Sequence, residues 1–403
     1  KDEVTANAEL LTRAGFVEKL MAGAYTYLPL GLRVLDNISD IVREEMNAIG
    51  GQELLMPMLH PKENWVRTGA WDSVDVLFKV ESRTDREYAL GQSEEEVVTP
   101  LVMSRVQTWR DLPQLVYQVG WKFRDELRSK SGVMRGREFL MKDLYSFHEN
   151  QEEFDRFYAI AKEAYLRVYG RLGLSAKVTE ASGGAFTQKI SYEFMVLTDA
   201  GEDDILFCDA CEFCVNVEIA DVKEGDHCPK CGEGMLSQAR ASEVGNVFDL
   251  GQKYGRDFNL GFTDRDGNKQ FPVMGCYGIG ITRLMGVIVE KFHDDRGIIW
   301  PAVIAPAQVH LANLGKDEEA FREAGELYDT LRTRGIDVIW DERDVSAGVK
   351  LADADLIGLP WRVVVSSRTR AEGKVELKPR TGDSELVTTD ELFSRLSAEP
   401  AGR

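Results

Sequence analysis

Residues 121–143 read WKFRDELRSKSGVMRGREFLMKD, an apolar run, a basic loop and a second apolar run. The stretch carries seven basic and four acidic side chains, in a chain of 403 residues whose formal net charge is −19. Guanidinium groups fork onto phosphates and neutralise charge that develops there. The stretch therefore predicts a strand, a basic loop and a strand that face a polyanion, with a solvated hairpin as the alternative.

On both sides of this stretch, short strand-like runs alternate with separate helices. Helical spacing of apolar residues marks 30–49, and helices are also predicted over 95–109, 151–173 and 281–292. Residues 52–59, after Gly50-Gly51, are expected to form a strand. This pattern predicts an α+β domain, an antiparallel sheet flanked by helices.

After about residue 303 the pattern changes to strand–helix alternation. Strands are predicted over 308–314, 336–341, 361–366 and 374–379, and helices over 317–334, 349–357 and 389–396. Alternation of this kind is typical of an α/β domain with a mostly parallel sheet.

Five of the six cysteines fall between residues 208 and 231. Cys208-Asp-Ala-Cys211 and Cys228-Pro-Lys-Cys231 are two CxxC knuckles at the separation of a zinc ribbon, which predicts a structural Zn²⁺ in a small insertion. Cys214 offers an alternative first knuckle with Cys211, and His227 an alternative ligand. Free buried thiols without a metal are the other reading.

Composition excludes several classes of protein. An apolar share of 43% with 18 Phe, 12 Tyr and 7 Trp is that of a globular chain, which excludes extensive disorder. No uncharged apolar run approaches the roughly 18 residues of a membrane span, and the first residues lack the apolar core of a secretory signal. We expect a cytoplasmic protein without a membrane partner. The acidic balance argues against a nucleic-acid partner unless basic residues are grouped locally.

Three motifs resemble those of the class II aminoacyl-tRNA synthetases. FRDE at 123–126, the basic loop and REF at 137–139 are similar to motif 2; residues 30–57 are similar to motif 1, the dimer-interface element; and GCYGIGITR at 275–283 is similar to motif 3. Strings at 24–32, 135–148 and 347–360 extend the resemblance to bacterial-type prolyl-tRNA synthetases over nearly the whole chain. This family implies a homodimer.

The resemblance implies roles in ATP binding and catalysis. Arg124 would bridge the substrate carboxylate and the α-phosphate, Glu126 would bind the adenine amino group, and Phe139 would stack on the adenine ring. Arg137 and Arg283 would bind the β- and γ-phosphates, and Glu243 would help to bind Mg²⁺. Catalysis would fall to Arg124, Arg283 and Glu126 through positioning and charge stabilisation, with no covalent nucleophile.

The proline pocket is expected around GQSEEE at 91–96. Ser93 and Glu95 would accept the two N–H groups of the secondary ammonium. The family usually has PTHEE here, so Gln92 and Glu94 depart from its pattern. An acidic helix N-terminus stabilised by the helix dipole is the alternative. The resemblance implies that the rest of the pocket is formed by Arg124, Asp143, Tyr145, Cys276 and Gly278.

The resemblance divides the chain into domains. A catalytic domain would comprise 1–204 and 237–303, the zinc-ribbon-like insertion 205–236, and an anticodon-binding domain 304–403. Anticodon contacts are implied for Glu342, Arg343, Lys350, Lys378 and Arg380, each with a solvated surface charge as the alternative.

The interval between motifs 2 and 3 is short, whereas bacterial members commonly carry a larger editing domain there. We expect that domain to be absent. A pocket sized for proline discriminates weakly against smaller amino acids, so a separate trans-editing protein would clear misacylated tRNA, unless misacylation is tolerated.

The implied activity is ATP-dependent formation of prolyl-adenylate and transfer of L-proline to tRNA(Pro). Another amino-acid specificity or a tRNA-independent paralogue stays open within the class. The alternative outside it is a catalytically inactive, synthetase-like nucleic-acid-binding or accessory protein. Such a protein would be expected to lose the motif arginines, but Arg124, Arg137 and Arg283 are all present.

Overall fold

The computed structural model describes residues 5–184 and 186–398. Its helices are α1 (Ala6–Arg13), α2 (Pro29–Ala48), α3 (Lys62–Arg67), α4 (Ala70–Ser73), α5 (Glu95–Met103), α6 (Gln151–Arg171), α7 (Lys253–Asp257), α8 (Ile281–Lys291), α9 (Glu318–Thr333), α10 (Ala347–Ile357), α11 (Ser367–Ala371) and α12 (Thr389–Ala398). Within the described residues, no helix combines the length and the apolar character needed to cross a bilayer.

The strands run through both halves of the chain. They are β1 (Val17–Met21), β2 (Ala24–Tyr27), β3 (Gln52–Glu53), β4 (Leu59–Pro61), β5 (Lys79–Glu81), β6 (Glu87–Leu90), β7 (Gln114–Phe123), β8 (Glu138–His148), β9 (Ala176–Ser182), β10 (Ile190–Leu197), β11 (Asp203–Cys208), β12 (Cys214–Asn216), β13 (Leu236–Gly251), β14 (Phe262–Thr263), β15 (Lys269–Gln270), β16 (Val273–Gly280), β17 (His293–Asp294), β18 (Gly297–Ile298), β19 (Val309–Asn313), β20 (Val338–Asp341), β21 (Trp361–Val365), β22 (Val375–Pro379) and β23 (Glu385–Val387).

The chain forms two compact units. The first comprises Met21–Ala24 and Ser39–Val287, and the second contains Tyr25–Ile38, the residues from 288 onward and the segment that ends at Leu20. The N-terminal residues are thus shared between the units, which no sequence pattern indicated. The domain limits suggested by the sequence stay a prediction.

The first unit is built on a nine-stranded sheet of order β10-β9-β12-β11-β13-β16-β8-β7-β3. Its neighbours are antiparallel except for the pairs β3–β7 and β9–β12. The predicted α+β architecture on an antiparallel sheet is therefore confirmed. The predicted strand–loop–strand over 121–143 corresponds to the end of β7, the basic loop and the start of β8.

Strand register places five polar or small residues in one row across the sheet. Gln118 pairs with Asp143, Asp143 with Gly278, Gly278 with Asn246, and Asn246 with Glu193. Since side chains alternate between the two faces of a sheet with a period of two, a shift of one residue in any pair would break this row.

Helix α6 covers the sheet with an apolar face. Its N-terminus is capped by the Asn150 side chain, which accepts a hydrogen bond of 3.0 Å from the backbone N–H of Glu153. Phe154, Tyr165 and Val168 are buried at helical spacing and form part of the core.

Two elements differ from the sequence expectation. The predicted strand 52–59 is interrupted between β3 and β4, where Pro57 lacks an N–H for a ladder and the backbone N–H of Met56 donates instead to the Gln118 side chain at 2.8 Å. The predicted helix 95–109 ends at Met103, and a short 3₁₀ turn at Trp109–Asp111 follows, capped by Thr108.

The second unit contains a five-stranded sheet of order β20-β19-β21-β22-β23. Strand β19 is parallel to β20 and β21, whereas the pairs β21–β22 and β22–β23 are antiparallel. The expectation of a mostly parallel sheet is thus wrong for one half. The short α11 turns the chain back beside β21, while a parallel neighbour needs a longer crossover connection.

Substitution of Gly31 tests the packing of the second unit. A Cβ atom there would lie 2.1 Å from the Phe16 carbonyl oxygen, whereas a Cβ atom on Gly170 in α6 would meet no atom within 4 Å. We expect Gly31→Ala to lower the free energy of unfolding by about 1–3 kcal/mol through overpacking. Gly170→Ala should raise it by about 0.5–1 kcal/mol through helix propensity. Denaturant unfolding measures both, and a Gly31→Ala protein as stable as the wild type would contradict the close approach.

Candidate active site and metal centre

A cavity of about 300 Å³ opens in the first unit, where β7, β8, β13 and β16 lie side by side. Eight residues singled out from the sequence line it: Ser93, Arg124, Glu126, Phe139, Glu243, Cys276, Gly278 and Arg283. Four others do not line it: Arg137, and Glu95, Asp143 and Tyr145, which are buried.

Arg124 follows directly on the last residue of β7. Its backbone N–H donates to the Arg137 carbonyl at 2.8 Å, and its guanidinium lies 5.1 Å from the centroid of the Phe139 ring. The guanidinium makes one long hydrogen bond of 3.5 Å to the Gln92 carbonyl, and its Nε has no partner among the described residues. Burial, and then the charge of Arg283, lower the pKa of Arg124. An anionic ligand would relieve both effects.

Arg283 lies in the first turn of α8, directly after β16. Its Nε donates to the Met134 carbonyl at 2.9 Å and its Nη1 to the Glu243 carbonyl at 2.8 Å. The Glu243 carboxylate is further away, at 3.4 Å. The guanidinium is therefore oriented mainly by two neutral carbonyls, and its carboxylate partner, Glu243, forms only a longer ion pair.

The structure separates Arg137 from the cavity and brings Arg135 into it. Arg137 donates to the Ala22 carbonyl at 2.8 Å and to the Glu126 carbonyl at 3.0 Å, and it does not line the cavity. Arg135 lines the cavity and an adjoining hollow of about 180 Å³, where it forms ion pairs with Glu126 at 2.8 Å and with Glu202. The phosphate role that the sequence suggested for Arg137 has no support in this geometry.

Carboxylates crowd together beside Glu243. Glu193 lines the cavity and Asp203 the adjoining hollow. Burial and the charge of Glu243 raise the pKa of Glu193 to about 8 and the pKa of Asp203 to about 6. Such a cluster favours protons or a cation, and carboxylate oxygens are what Mg²⁺ prefers. Glu193 and Asp203 therefore add carboxylates near Glu243, which sequence reasoning alone had identified, although among the described residues the three do not form a compact group of metal ligands.

The expected proline pocket lies at the start of α5. Glu95 is fully buried near the Cys276 thiol and the Ser93 hydroxyl, and neither of its carboxylate oxygens has a hydrogen-bond partner of good geometry among the described residues. Within the described residues it forms no salt bridge, and burial raises its pKa. The Ser93 hydroxyl also lies 3.3 Å from the Tyr145 hydroxyl. A buried carboxylate without a cationic partner, next to a cavity, is suited to bind an ammonium group.

A second cluster consists of four cysteines, Cys208, Cys211, Cys228 and Cys231, whose sulfurs lie within 4.8 Å of one another. The Sγ–Sγ distance is 3.7 Å for the pair Cys208–Cys231 and 3.6 Å for the pair Cys211–Cys228. A tetrahedral zinc ion with Zn–S bonds of about 2.3 Å separates its sulfurs by about 3.8 Å. The four residues therefore fit a zinc ion.

Backbone N–H groups support the sulfurs of this cluster. Ala210 donates to Cys208 at 3.3 Å and Gly234 to Cys231 at 3.4 Å, and the backbone donors of Gly234 and Glu233 lower the pKa of Cys231 to about 6. Neither alternative ligand joins the cluster. Cys214 lies instead 3.1 Å from the Thr179 hydroxyl, and His227 is outside the group.

Two of the five suggested anticodon residues are used inside the second unit. Lys350 is buried and donates to the carbonyls of Asn313 and Asp341 at 2.9 and 3.0 Å. Arg380 is buried and donates to both carboxylate oxygens of Asp294, at 2.7 and 2.9 Å. Because both side chains are buried and bonded within the protein, neither is accessible to RNA in this structure.

The other three remain accessible to different degrees. Glu342 and Arg343 are exposed and Lys378 is half-buried. The Arg343 guanidinium pairs with Asp341 and Asp353, each at 2.7 Å. The planar guanidinium of Arg343 is therefore exposed, but its charge is already paired with two aspartates.

Comparison with known proteins agrees with this geometry. The family described as tRNA synthetase class II core domain (G, H, P, S and T) matches residues 78–292, and the family described as anticodon binding domain matches residues 303–399. A proline–tRNA ligase of Anaplasma phagocytophilum is 41% identical over 98% of this chain and 96% of that protein. The chain belongs to the proline–tRNA ligase family.

Other members of the family differ in length. The proline–tRNA ligase of Syntrophus aciditrophicus is 33% identical, in an alignment of 544 residues that covers 97% of this chain and 94% of that protein. Since this chain has 403 residues, the alignment includes a long segment without a counterpart here. A crystal structure of prolyl-tRNA synthetase from Cryptosporidium parvum, complexed with L-proline and AMP, has the same fold, with a TM-score of 0.78, 19% identity and coverage of 97% of this chain and 74% of that chain.

Several residues at the site of this family member were not found by sequence reasoning. Arg135 lay within the basic stretch, but the resemblance to motif 2 implied a phosphate role for Arg137 and none for Arg135. Glu193 and Asp203 carried no signal, because single acidic residues on strands are common in an acidic chain. His60 carried none either, although it contacts Glu94.

The contrast between Arg380 and Lys378 can be tested by substitution. Arg380→Ala removes both charged hydrogen bonds to the Asp294 carboxylate and leaves it only the more distant Arg296 guanidinium as a charged partner, at 3.6 Å, so the free energy of unfolding should fall by about 2 kcal/mol. Lys378→Ala removes only weak carbonyl contacts and should change it by about 0.5 kcal/mol or less. Denaturant unfolding at pH 7 measures the difference, and equal effects would contradict the structural role of Arg380.

The same pair has a defined pH dependence. Hydrogen bonds from Arg380 hold the pKa of Asp294 well below its usual range. A lowered carboxyl pKa stabilises the folded state above the unfolded pKa of about 4. The loss of stability in Arg380→Ala should therefore be complete near pH 7 and shrink as the pH falls below about 4.

Proposed function

We propose that this chain activates L-proline with ATP, forming prolyl-adenylate and pyrophosphate, and then transfers proline to the 3′ end of tRNA(Pro). The observation that carries this proposal is the cavity that brings Arg124, Phe139 and Arg283 together in a member of the proline–tRNA ligase family. The reaction takes place in the cytoplasm, as the sequence led us to expect.

In the first step a proline carboxylate oxygen attacks the α-phosphorus of ATP and pyrophosphate leaves. Arg124 holds the carboxylate and the α-phosphate together, and its weakly bonded guanidinium is available for both. Positioning two anions that repel each other and neutralising charge in the transition state are the main demands of this reaction. Arg283 neutralises charge on the leaving phosphates from the opposite wall.

The adenine base stacks on Phe139, while Glu126 accepts a hydrogen bond from its amino group. Arg135, rather than Arg137, is the second arginine of the phosphate hollow, because it lines the hollow together with Arg124 and Arg283. Glu243, with Glu193 and Asp203 nearby, would hold Mg²⁺, which would neutralise part of the phosphate charge.

Proline binds with its ammonium group at Ser93 and Glu95. The buried Glu95 carboxylate accepts one N–H and the Ser93 hydroxyl the other, while Cys276 and Gly278 line the wall of the cavity. In the second step the 3′-terminal hydroxyl of the tRNA attacks the activated carbonyl, and AMP leaves. Glu342, Arg343 and Lys378 are the residues proposed to contact the anticodon.

The chain acts as a homodimer. Exposed apolar side chains support this part of the proposal: Leu55, in the segment that resembles motif 1, is 80% exposed, and Leu59, which begins β4 just after that segment, is 51% exposed. A partner subunit would bury both. A separate trans-editing protein would hydrolyse tRNA(Pro) charged with smaller amino acids.

The four cysteines bind one structural zinc ion, supported by the sulfur spacing described above. The segment between Cys208 and Leu236 has a small core of its own, made largely of the cysteines with Leu236, Phe213 and Val222. So small a core needs a metal to hold its shape.

Proline-dependent ATP–pyrophosphate exchange tests the activity. We expect exchange with L-proline in the wild type and a loss of at least about 100-fold in Arg124→Ala, which removes the positive charge at the α-phosphate. The exposed Arg110, outside the cavity, provides the control, since Arg110→Ala should retain exchange. Light scattering should give the same dimer mass for all three proteins.

The amino acid that supports exchange separates the specificity from the catalytic activity. Exchange with another amino acid but not with proline would contradict the specificity. No exchange with any amino acid would contradict the catalytic proposal and favour an inactive, synthetase-like protein.

Metal analysis tests the zinc site. We expect one equivalent of zinc in the wild type, and loss of metal with a lower melting temperature in Cys208→Ser and Cys228→Ser. Cys214→Ser is the matched control, because Cys214 lies in the same segment but outside the sulfur cluster. A folded wild-type protein that takes up no zinc would refute the site.

A further inference from the structure

Four ionisable side chains form a fully buried group next to the candidate proline pocket. Glu94 lies 2.8 Å from His60 Nε2 and 3.1 Å from Lys122 Nζ, and Lys122 Nζ lies 3.0 Å from Asp143. All four side chains have no exposed surface. We call His60, Glu94, Lys122 and Asp143 the buried charge group.

None of these four residues lines the cavity, so none is placed to contact a substrate. Burying a charge is costly unless it is paired, and removing one partner from a buried pair is strongly destabilising because the other charge is stranded. Because burying these charges costs free energy and none of them contacts a ligand, the buried charge group can act on substrate binding only through the residues next to it.

Its neighbours are the two residues proposed to bind the proline ammonium. Glu94 lies between Ser93 and Glu95 in the sequence, and its backbone N–H donates to the Tyr145 hydroxyl at 2.8 Å. The same hydroxyl lies 3.3 Å from the Ser93 hydroxyl. The position of the Glu94 side chain therefore determines where the backbone presents Ser93 and Glu95.

The buried charge group joins this segment to the sheet at several points. Lys122 comes from β7 and Asp143 from β8, while His60 comes from β4. Asp143 also accepts a hydrogen bond of 3.3 Å from Gln118, whose amide oxygen accepts the backbone N–H of Met56 at 2.8 Å. The turn before α5 is thus held against the strands that carry the cavity walls.

Gly91 allows the close approach of the pair. A Cβ atom at this position would lie 2.8 Å from Glu94 Oε1 and 2.9 Å from His60 Nε2. Any other residue at position 91 would push the imidazole and the carboxylate apart.

We propose that His60, Glu94 and Lys122 are positioning residues for proline binding: they hold Ser93 and Glu95 in the geometry that accepts the ammonium group. The inference rests on the proposed function. It gives a role to Glu94, one of the two positions at which this segment departs from the usual sequence of the family, because the Glu94 carboxylate contacts the imidazole of His60 and the ammonium of Lys122.

The test compares the Michaelis constants for proline and ATP in the exchange reaction. Lys122→Met keeps the length of the side chain but strands two carboxylates, so KM for proline should rise about tenfold or more. KM for ATP should stay within about twofold, because the adenine and phosphate walls are not touched. Glu94→Gln strands no charge on Lys122, which keeps Asp143, and should raise KM for proline by a smaller factor.

The double variant measures the coupling. In Lys122→Met/Glu94→Gln one of the two stranded carboxylates is gone, so the rise in KM for proline should be smaller than the product of the two single effects. Multiplicative effects would show that the two residues act independently and would overturn the proposal.

Lys142→Met is the matched control. Lys142 is equally buried on the same sheet, but its ammonium donates to the Tyr165 hydroxyl and the Tyr277 carbonyl rather than to a carboxylate. The control should alter the melting temperature without a selective change in KM for proline. If Lys122→Met fails to fold, Glu94→Gln and His60→Gln provide the same comparison.

The failure of this proposal can be told apart from the failure of the proposed function. If the wild type uses proline and the variants keep its KM, or raise both Michaelis constants equally, the positioning role is wrong. If the wild type uses another amino acid, the specificity is wrong, and the same comparison is made with that amino acid.

Discussion

The pairing of β13, β16, β8 and β7 is the constraint on which the first unit depends. Tyr145 stands opposite Cys276, and Asp143 opposite Gly278, so one strand pair sets both the wall of the cavity and the buried group next to it. Because side chains alternate between faces, this register also decides which residues face solvent. Large aromatic side chains such as Tyr165 on α6 and Tyr277 on β16 are fully buried and make a different register costly.

The arginines of the two units differ in the groups that accept their hydrogen bonds. Carbonyl oxygens orient Arg283, which also forms a longer ion pair with Glu243, and Arg124 makes one long hydrogen bond among the described residues. Arg343 and Arg380 are each neutralised by aspartates. A preorganised positive charge that can turn to a ligand is what charge stabilisation requires, whereas the buried and paired Arg380 mainly supports the fold.

Much of the fold could be predicted from the sequence, because helix periodicity and the strand–loop–strand pattern around the basic stretch are local signals. The knuckle spacing likewise predicted four sulfurs that lie together. What could not be predicted depends on contacts between distant residues. His60 and Glu94 are 34 positions apart, and only the pairing of β4 with β6 and the turn after β6 bring them together. The choice between Arg135 and Arg137 depends on the path of one loop, and Pro57 broke a strand whose apolar pattern was otherwise convincing.

The pairing of Cys208 with Leu236 means that the cysteine segment leaves and re-enters the sheet at two adjacent points. The cost of closing a loop whose ends already meet grows slowly with its length, by about 0.6 kcal/mol for each doubling. Segments of very different size could therefore occupy this position while the strands that carry Asp203 and Glu243 stay paired. Strand β12 lies inside the segment and pairs with β11 and β9, so the length of the chain can change without disturbing the sheet only between β12 and Leu236.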